Sequence, residues 1–223
     1  MGVTERGVER CIAVLGGSFD PVHQGHIALA RHFFELLGPD EVRIIPVGNP
    51  WQKGSLQASA PDRVAMIRCA FDTQLMPVSI DLQEIQRQTA TYTIDTLRAI
   101  RAEVGPQASI VFLIGADQLQ HLNTWHEWQQ LFDYAHICAA SRPGFGTDAS
   151  QIPEQVNREF SRRAATPEQI RRKPQGFMYL AKDLSVEISA TEIRTALQRG
   201  EKPELLVPPR VLDYIELHHL YKS

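Results

Sequence analysis

The sequence predicts an α/β fold in which a doubly wound parallel sheet carries helices on both faces. Three observations predict it. Short continuous apolar runs, such as residues 11–15 and 110–114, suit strands covered on both sides. Amphipathic stretches with helical spacing alternate with them, and Gly or Pro marks most of the changes between the two. With 223 residues and 43% hydrophobic content, the chain can bury one substantial core, so residues 1–223 are expected to form one domain.

The elements follow in order. Residues 1–10 read as a flexible leader. The run Cys11-Ile12-Ala13-Val14-Leu15 is the first strand and ends at Gly16-Gly17. Ile27, Ala30, Phe34 and Leu37 recur at helical spacing, and Gly38-Pro39 stops that helix. Residues 42–47 make a second strand. Pro61 opens a helix on which Val64, Ile67 and Phe71 share a face. A third strand at 78–80, a helix at 92–104, a fourth strand at 110–114 and a fifth at 135–140 continue the alternation, which implies parallel crossovers and a Rossmann-like sheet. Residues 142–175 break the rhythm with several prolines and glycines, and read as a surface excursion with a helix or two. Its Arg171-Arg172-Lys173 cluster is read as a solvated charge run. Residues 177–181 return to strand, Ser189 opens a helix carrying Ile193 and Leu197, and a last helix lies near 210–219. Residues 188–223 thus form a small helical C-terminal part.

Composition narrows the function. The 23 basic and 26 acidic residues give a formal charge of −3, which supplies no overall positive field for a nucleic-acid backbone. Small anionic ligands would instead need local donors. Cys11, Cys69 and Cys138 are odd in number and sit in apolar stretches, as small buried hydrophobes do, and suit a reducing, cytoplasmic compartment. The N-terminal residues lack the apolar core of an export signal, and no stretch approaches the roughly 20 apolar residues of a membrane span.

The most informative segment is Gly16-Gly17-Ser18-Phe19-Asp20-Pro21-Val22-His23-Gln24-Gly25-His26, between the first strand and its helix. In an open α/β sheet, ligands bind at the carboxyl ends of the strands, and a glycine-lined turn before a helix N-terminus suits an anion. His23 and His26 are three apart at the helix start, so both rings can face one space and donate to phosphate oxygens. Ordinary turn and cap residues would be the bland explanation. Metal binding by the two histidines lacks a third or fourth ligand at a recognisable spacing. Neither G-x-G-x-x-G nor a Walker loop is present.

The run GGSFDPVHQGH resembles the signature of the HxGH nucleotidylyltransferases, and its G-G-[ST]-F-D-P-x-H-x-G-H form is similar to that of the bacterial nicotinate-nucleotide adenylyltransferase branch. The pantetheine-phosphate branch usually has Thr where this chain has His23, and the class I aminoacyl-tRNA synthetases of the wider superfamily are generally much larger. The family carries I-S-[AS]-T-x-I-R far along the chain, and Ile188-Ser189-Ala190-Thr191-Glu192-Ile193-Arg194 matches it. Read by itself, Ser189 is a good N-cap and Arg194 a surface arginine. The resemblance implies that Gly16, Gly17, Ser18, Phe19, His23, His26, Ser189, Thr191 and Arg194 bind ATP. It places the acceptor nucleotide at Thr93, Asp117, Trp125 and His126, with the Trp125 indole stacked on the pyridine and Thr93 receiving its carboxylate.

Without the family, Trp125 and Trp128 would pass as core aromatics on a helix, and Asp117 as a cap. Two positions depart from the pattern: His126 stands where an aromatic often follows the stacking Trp, and Gln52 where a His often precedes Lys53. The resemblance therefore implies adenylyl transfer from ATP to nicotinate mononucleotide in NAD biosynthesis. His23, His26, Lys53 and Arg194 would be the catalytic groups, with Mg2+ held mainly by the triphosphate and no protein nucleophile. Nicotinamide mononucleotide or phosphopantetheine as acceptor, and a non-catalytic nucleotide sensor, are the alternatives.

Overall fold

A computed structural model describes residues 10–48, 56–141, 152–182, 184 and 188–222. Six parallel strands form one sheet in the order β3-β2-β1-β4-β5-β6: β1 (Cys11–Gly17), β2 (Glu41–Pro46), β3 (Val78–Ile80), β4 (Ser109–Gly115), β5 (His136–Ala140) and β6 (Met178–Ala181). All six lie where the apolar runs place them, within two residues at each end. The strand order reverses between β1 and β4, and both end in glycine there.

The central strands β1 and β4 are nearly continuous apolar runs because both faces are covered. On one face Cys11, Ala13 and Leu15 of β1 join Val42, Ile44, Val111, Leu113 and Cys138 in a core. Packed on it are α1 (Gln24–Leu37), α2 (Ala60–Phe71), α6 (Pro167–Arg172), α7 (Ala190–Gln198) and α8 (Pro209–Leu217). On the other face Ile12, Val14, Ile110, Phe112 and Ile137 meet α4 (Thr93–Val104), α5 (Glu154–Arg163) and 3₁₀ turns over 116–133. A short α3 (Gln83–Gln86) follows β3.

Three expectations change. The 142–175 stretch is more than a surface excursion: residues 142–151 lie outside the described set, but α5 buries Val156 on one face and α6 buries Ile170 on the other. On α2 the buried face runs through Arg63, Ile67 and Phe71, while Val64 is only half-buried. Trp125 and Trp128 do not share a helix; Trp125 follows one 3₁₀ turn and Trp128 begins the next. The Arg171-Arg172-Lys173 cluster is a charged surface, as read. Arg171 pairs with Asp40 at 3.1 Å and Arg172 with Glu168 at 2.6 Å. The expected leader lies outside the described residues except for Arg10.

Polar groups bind the strands together at the end where they begin. Arg43 of β2 forks onto both carboxylate oxygens of Glu103 at 2.7 and 2.9 Å, and reaches Glu41 at 2.9 Å. Arg101 donates to the carbonyls of Tyr134, Gly105, Ala108 and Pro174 at 2.6–3.2 Å, tying α4 to the starts of β4 and β5 and to the approach to β6. His136 is fully buried: its Nε2 lies 2.9 Å from the Lys173 carbonyl, and its Nδ1 accepts from the Phe177 N–H at 3.1 Å. Those two partners fix the neutral tautomer, with the proton on Nε2. Burial pushes its pKa down to about 4.

Candidate active site

At the other end of the sheet, the carboxyl ends of β1, β4 and β5 open into a cleft of about 820 Å³. It lies at the reversal of strand order, where open α/β sheets take their ligands. The first residues of three helices line it: Gly25 and His26 of α1, Thr93 of α4, and Ala190 and Thr191 of α7. First-turn N–H groups have no partner inside their own helix, so these starts are suited to anions.

Of the sequence-predicted site residues, Gly16, Gly17, Ser18, His23, His26, Thr93, Asp117, Trp125, His126, Ser189, Thr191 and Arg194 all line this one cleft. Phe19 does not. Its ring is fully buried, packed against Gly17 and 4.7 Å from the His26 ring, so its side chain supports the loop from beneath. Lys53 and Gln52 lie outside the described residues.

His23 and His26 stack at 3.8 Å between ring centroids. The His23 backbone N–H donates to His26 Nδ1 at 3.2 Å, which places the proton of a neutral His26 on Nε2. A Cβ at Gly25 would stand 3.0 Å from His23 Nδ1, a tight contact that the His23 ring would have to give way to. The N–H of Gln24, the first of α1, is taken by the Leu206 carbonyl at 2.8 Å.

The two distant signatures touch. Arg194 Nη1 donates to the backbone carbonyl of Asp20 at 2.7 Å, and its Nη2 donates to the Thr191 hydroxyl at 3.1 Å. Ser189 stands at the N-cap of α7 as expected, yet its hydroxyl makes no capping bond. Among the described residues, no group of three or more His, Cys, Asp or Glu side chains is arranged to hold a metal ion.

Across the cleft, Trp125 is half-buried, with the edge of Phe112 against it at 6.1 Å and 72°. Its Nε1 is buried and has no hydrogen-bond partner among the described residues. His126, at the position where relatives of the resembled branch often carry an aromatic, lies 4.6 Å from the Tyr92 ring and so keeps a ring there. Asp117 is exposed and accepts from Gln118 at 2.6 Å.

Sequence reading gave no role to four residues that shape this site. Asp20 is buried, and its carboxylate accepts from the backbone N–H groups of Gln57 and Ala58 at 2.8 and 3.0 Å and from the Tyr221 hydroxyl at 2.7 Å. Arg63 lies under the loop, 2% exposed, and donates to the Ser18 carbonyl at 2.9 Å; burial lowers its pKa. A charge four residues before Ile67 on the buried face of α2 was the available signal. Glu84 lines the cleft, accepts from the Thr96 hydroxyl at 2.7 Å, and is pushed up in pKa by burial. Its carbonyl would stand 2.0 Å from a Cβ on Gly48, so only glycine lets those two segments meet.

Comparison with known proteins agrees with this geometry. The profile of the cytidylyltransferase-like family matches residues 14–196. A protein of Herminiimonas arsenicoxydans, described as "Probable nicotinate-nucleotide adenylyltransferase", is 70% identical over 98% of this chain and all of its own. One with the same description from Laribacter hongkongensis is 44% identical, covering 95% of this chain and 94% of its own. In fold, the chain resembles the nicotinic acid mononucleotide adenylyltransferase of Plasmodium falciparum solved with NaAD. That match has a TM-score of 0.72 at 20% identity over 95% of this chain and 97% of that one. The cleft at the strand reversal, the two signatures joined through Arg194 and Asp20, and full-length identity of this degree have one reading: the chain belongs to the cytidylyltransferase-like family and, within it, to the nicotinate-nucleotide adenylyltransferases.

Proposed function

We propose that the protein transfers the adenylyl group of ATP to nicotinate mononucleotide, giving nicotinate adenine dinucleotide and pyrophosphate in NAD biosynthesis. The observation that carries this reading is one cleft with two unlike halves: histidines, an arginine and two helix starts on one side, an indole and a third helix start on the other. The first half suits a polyphosphate. The second suits a flat ring bearing an acceptor-only carboxylate, because donors that satisfy a carboxylate leave the NH₂ of an amide without an acceptor.

The phosphate of the mononucleotide attacks the α-phosphorus in line, and pyrophosphate leaves. No protein nucleophile is needed, so the work is positioning and charge stabilisation. His23, His26 and Arg194, with Lys53, meet the transferring group and the leaving oxygens; Ser189 and Thr191 add hydroxyl donors. Gly16, Gly17 and Ser18 let the backbone come close to the nucleotide. Mg2+ held mainly by the triphosphate would supply further charge neutralisation there. Thr93 and the start of α4 receive the nicotinate carboxylate, Trp125 stacks on the pyridine, and Asp117 orients a ribose hydroxyl. Among the described residues no helix is long and apolar enough to cross a membrane. Cys11, Cys69 and Cys138 are free thiols, which suits a reducing compartment, and we place the reaction in the cytoplasm.

The test is pyrophosphate release from MgATP with nicotinate mononucleotide, nicotinamide mononucleotide and phosphopantetheine in turn. Release should be fastest with the first. Equal or faster release with another acceptor overturns the substrate assignment, and ATP binding without release from any acceptor favours a sensor.

A further inference from the structure

We infer that Tyr221 is a positioning residue for the ATP side of the cleft: its hydroxyl, bonded to the Asp20 carboxylate, holds the loop that carries His23 and His26 in register with Arg194. The inference rests on the adenylyl-transfer reading for its kinetic arm only.

Four elements converge on residues 18–20. Arg63 of α2 holds the Ser18 carbonyl and Arg194 of α7 holds the Asp20 carbonyl, while the segment just before α2 supplies two N–H groups to the Asp20 carboxylate. Tyr221, 201 residues away in sequence, supplies the fourth hold at 2.7 Å. Oδ1 of Asp20 takes both the Tyr221 hydroxyl and the Ala58 N–H, so that oxygen is pinned from two directions. Tyr221 is 7% exposed and adopts a left-handed backbone at φ +59°, which a bulky residue takes up only where its surroundings hold it. Burial, then the neighbouring carboxylate, raises the pKa of the phenol, so it stays protonated and donates.

The segment after α7 also grips the loop a second time, where the Leu206 carbonyl takes the Gln24 N–H beside His23. The α8 helix that leads to Tyr221 is itself fixed to α2, through Tyr214 to Asp62 at 3.0 Å and Arg210 to Asp72 at 3.2 Å. Removing the Tyr221 hydroxyl therefore leaves α8 docked. It removes one of the two holds on Oδ1 of the residue whose carbonyl orients Arg194 and which lies three positions before His23. A displacement of about 1 Å at such a site costs as much as ~100-fold in rate, and loss of one hold among four should cost less, about tenfold.

The test uses the full chain carrying Tyr221→Phe. Calorimetry with MgATP alone should show a dissociation constant raised severalfold. In the pyrophosphate assay kcat should fall about tenfold with KM for the acceptor unchanged, while the melting temperature moves by no more than a few degrees. Combined with Arg194→Lys, the loss should be smaller than the product of the two single losses, because both act on Asp20, one on its carboxylate and one on its carbonyl. ATP affinity and kcat within twofold of wild type overturn the inference, as does full multiplicativity with Arg194→Lys. Wild-type protein that binds ATP but releases no pyrophosphate refutes the adenylyl-transfer reading instead, and the calorimetric comparison still decides the role of Tyr221.

Discussion

His136 should make the protein acid-sensitive well above the range where carboxylates titrate. The ring is fully buried between β5 and the chain approaching β6, and its pKa falls from an ordinary 6.5 to about 4. The cause is first burial, then the nearby positive charge of Arg101, partly offset by the Lys173 carbonyl. Because the folded value lies below the unfolded one, the unfolded chain binds the proton more readily. The stability contribution is thus complete above about pH 6.5 and is lost as pH falls towards 4. At about 1.36 kcal/mol per pH unit, the whole gap corresponds to about 3 kcal/mol, of which about 2 kcal/mol is gone by pH 5.

Urea unfolding of wild type and His136→Gln between pH 7.5 and 5 measures this directly. The variant keeps a donor and an acceptor but has no titrating group. It should be less stable at pH 7.5, yet its stability should fall by about 2 kcal/mol less than that of wild type over this interval. Parallel stability curves for the two proteins would refute the assignment of the proton to His136.

Further outcomes concern the cleft and its supports. His26→Ala should lower kcat on the order of a hundredfold or more in the pyrophosphate assay, with an unchanged circular dichroism spectrum. Trp125→Ala should raise KM for nicotinate mononucleotide about tenfold and leave KM for ATP near wild type, as steady-state titration of each substrate will read. Arg101→Met leaves the carbonyls of Tyr134 and Ala108 without the donor that ties them to α4 and takes one of two donors from that of Pro174, and should cost about 3 kcal/mol in urea unfolding without altering KM for either substrate.

The strands were legible because parallel strands covered on both faces read as apolar runs, nearly continuous in β1 and β4 and interrupted by only one or two polar residues in the others. The cleft was legible through GGSFDPVHQGH and ISATEIR, whose physical link is the bond from Arg194 to the Asp20 carbonyl. Less legible were contacts that depend on where the chain returns in space. Asp20 stood inside the first signature without a role, since its partners are two backbone N–H groups and a tyrosine at position 221. Arg63 received no reading because periodicity follows apolar side chains, and a buried arginine breaks the pattern it belongs to. The 142–175 stretch looked superficial for a similar reason: α5 and α6 each bury a single large apolar residue deeply, Val156 and Ile170, which is too little to produce a periodic signal.

The convergence of three helix starts on one cleft bears on how substrates arrive. A chain of formal charge −3 repels ATP and nicotinate mononucleotide weakly at a distance, while the field of a helix terminus fades within about a turn. Encounter is then a matter of unguided diffusion, and attraction begins only once a phosphate is already inside the cleft. Added salt should therefore change association rates little and act mainly on release, the opposite of an enzyme that steers its substrates from afar.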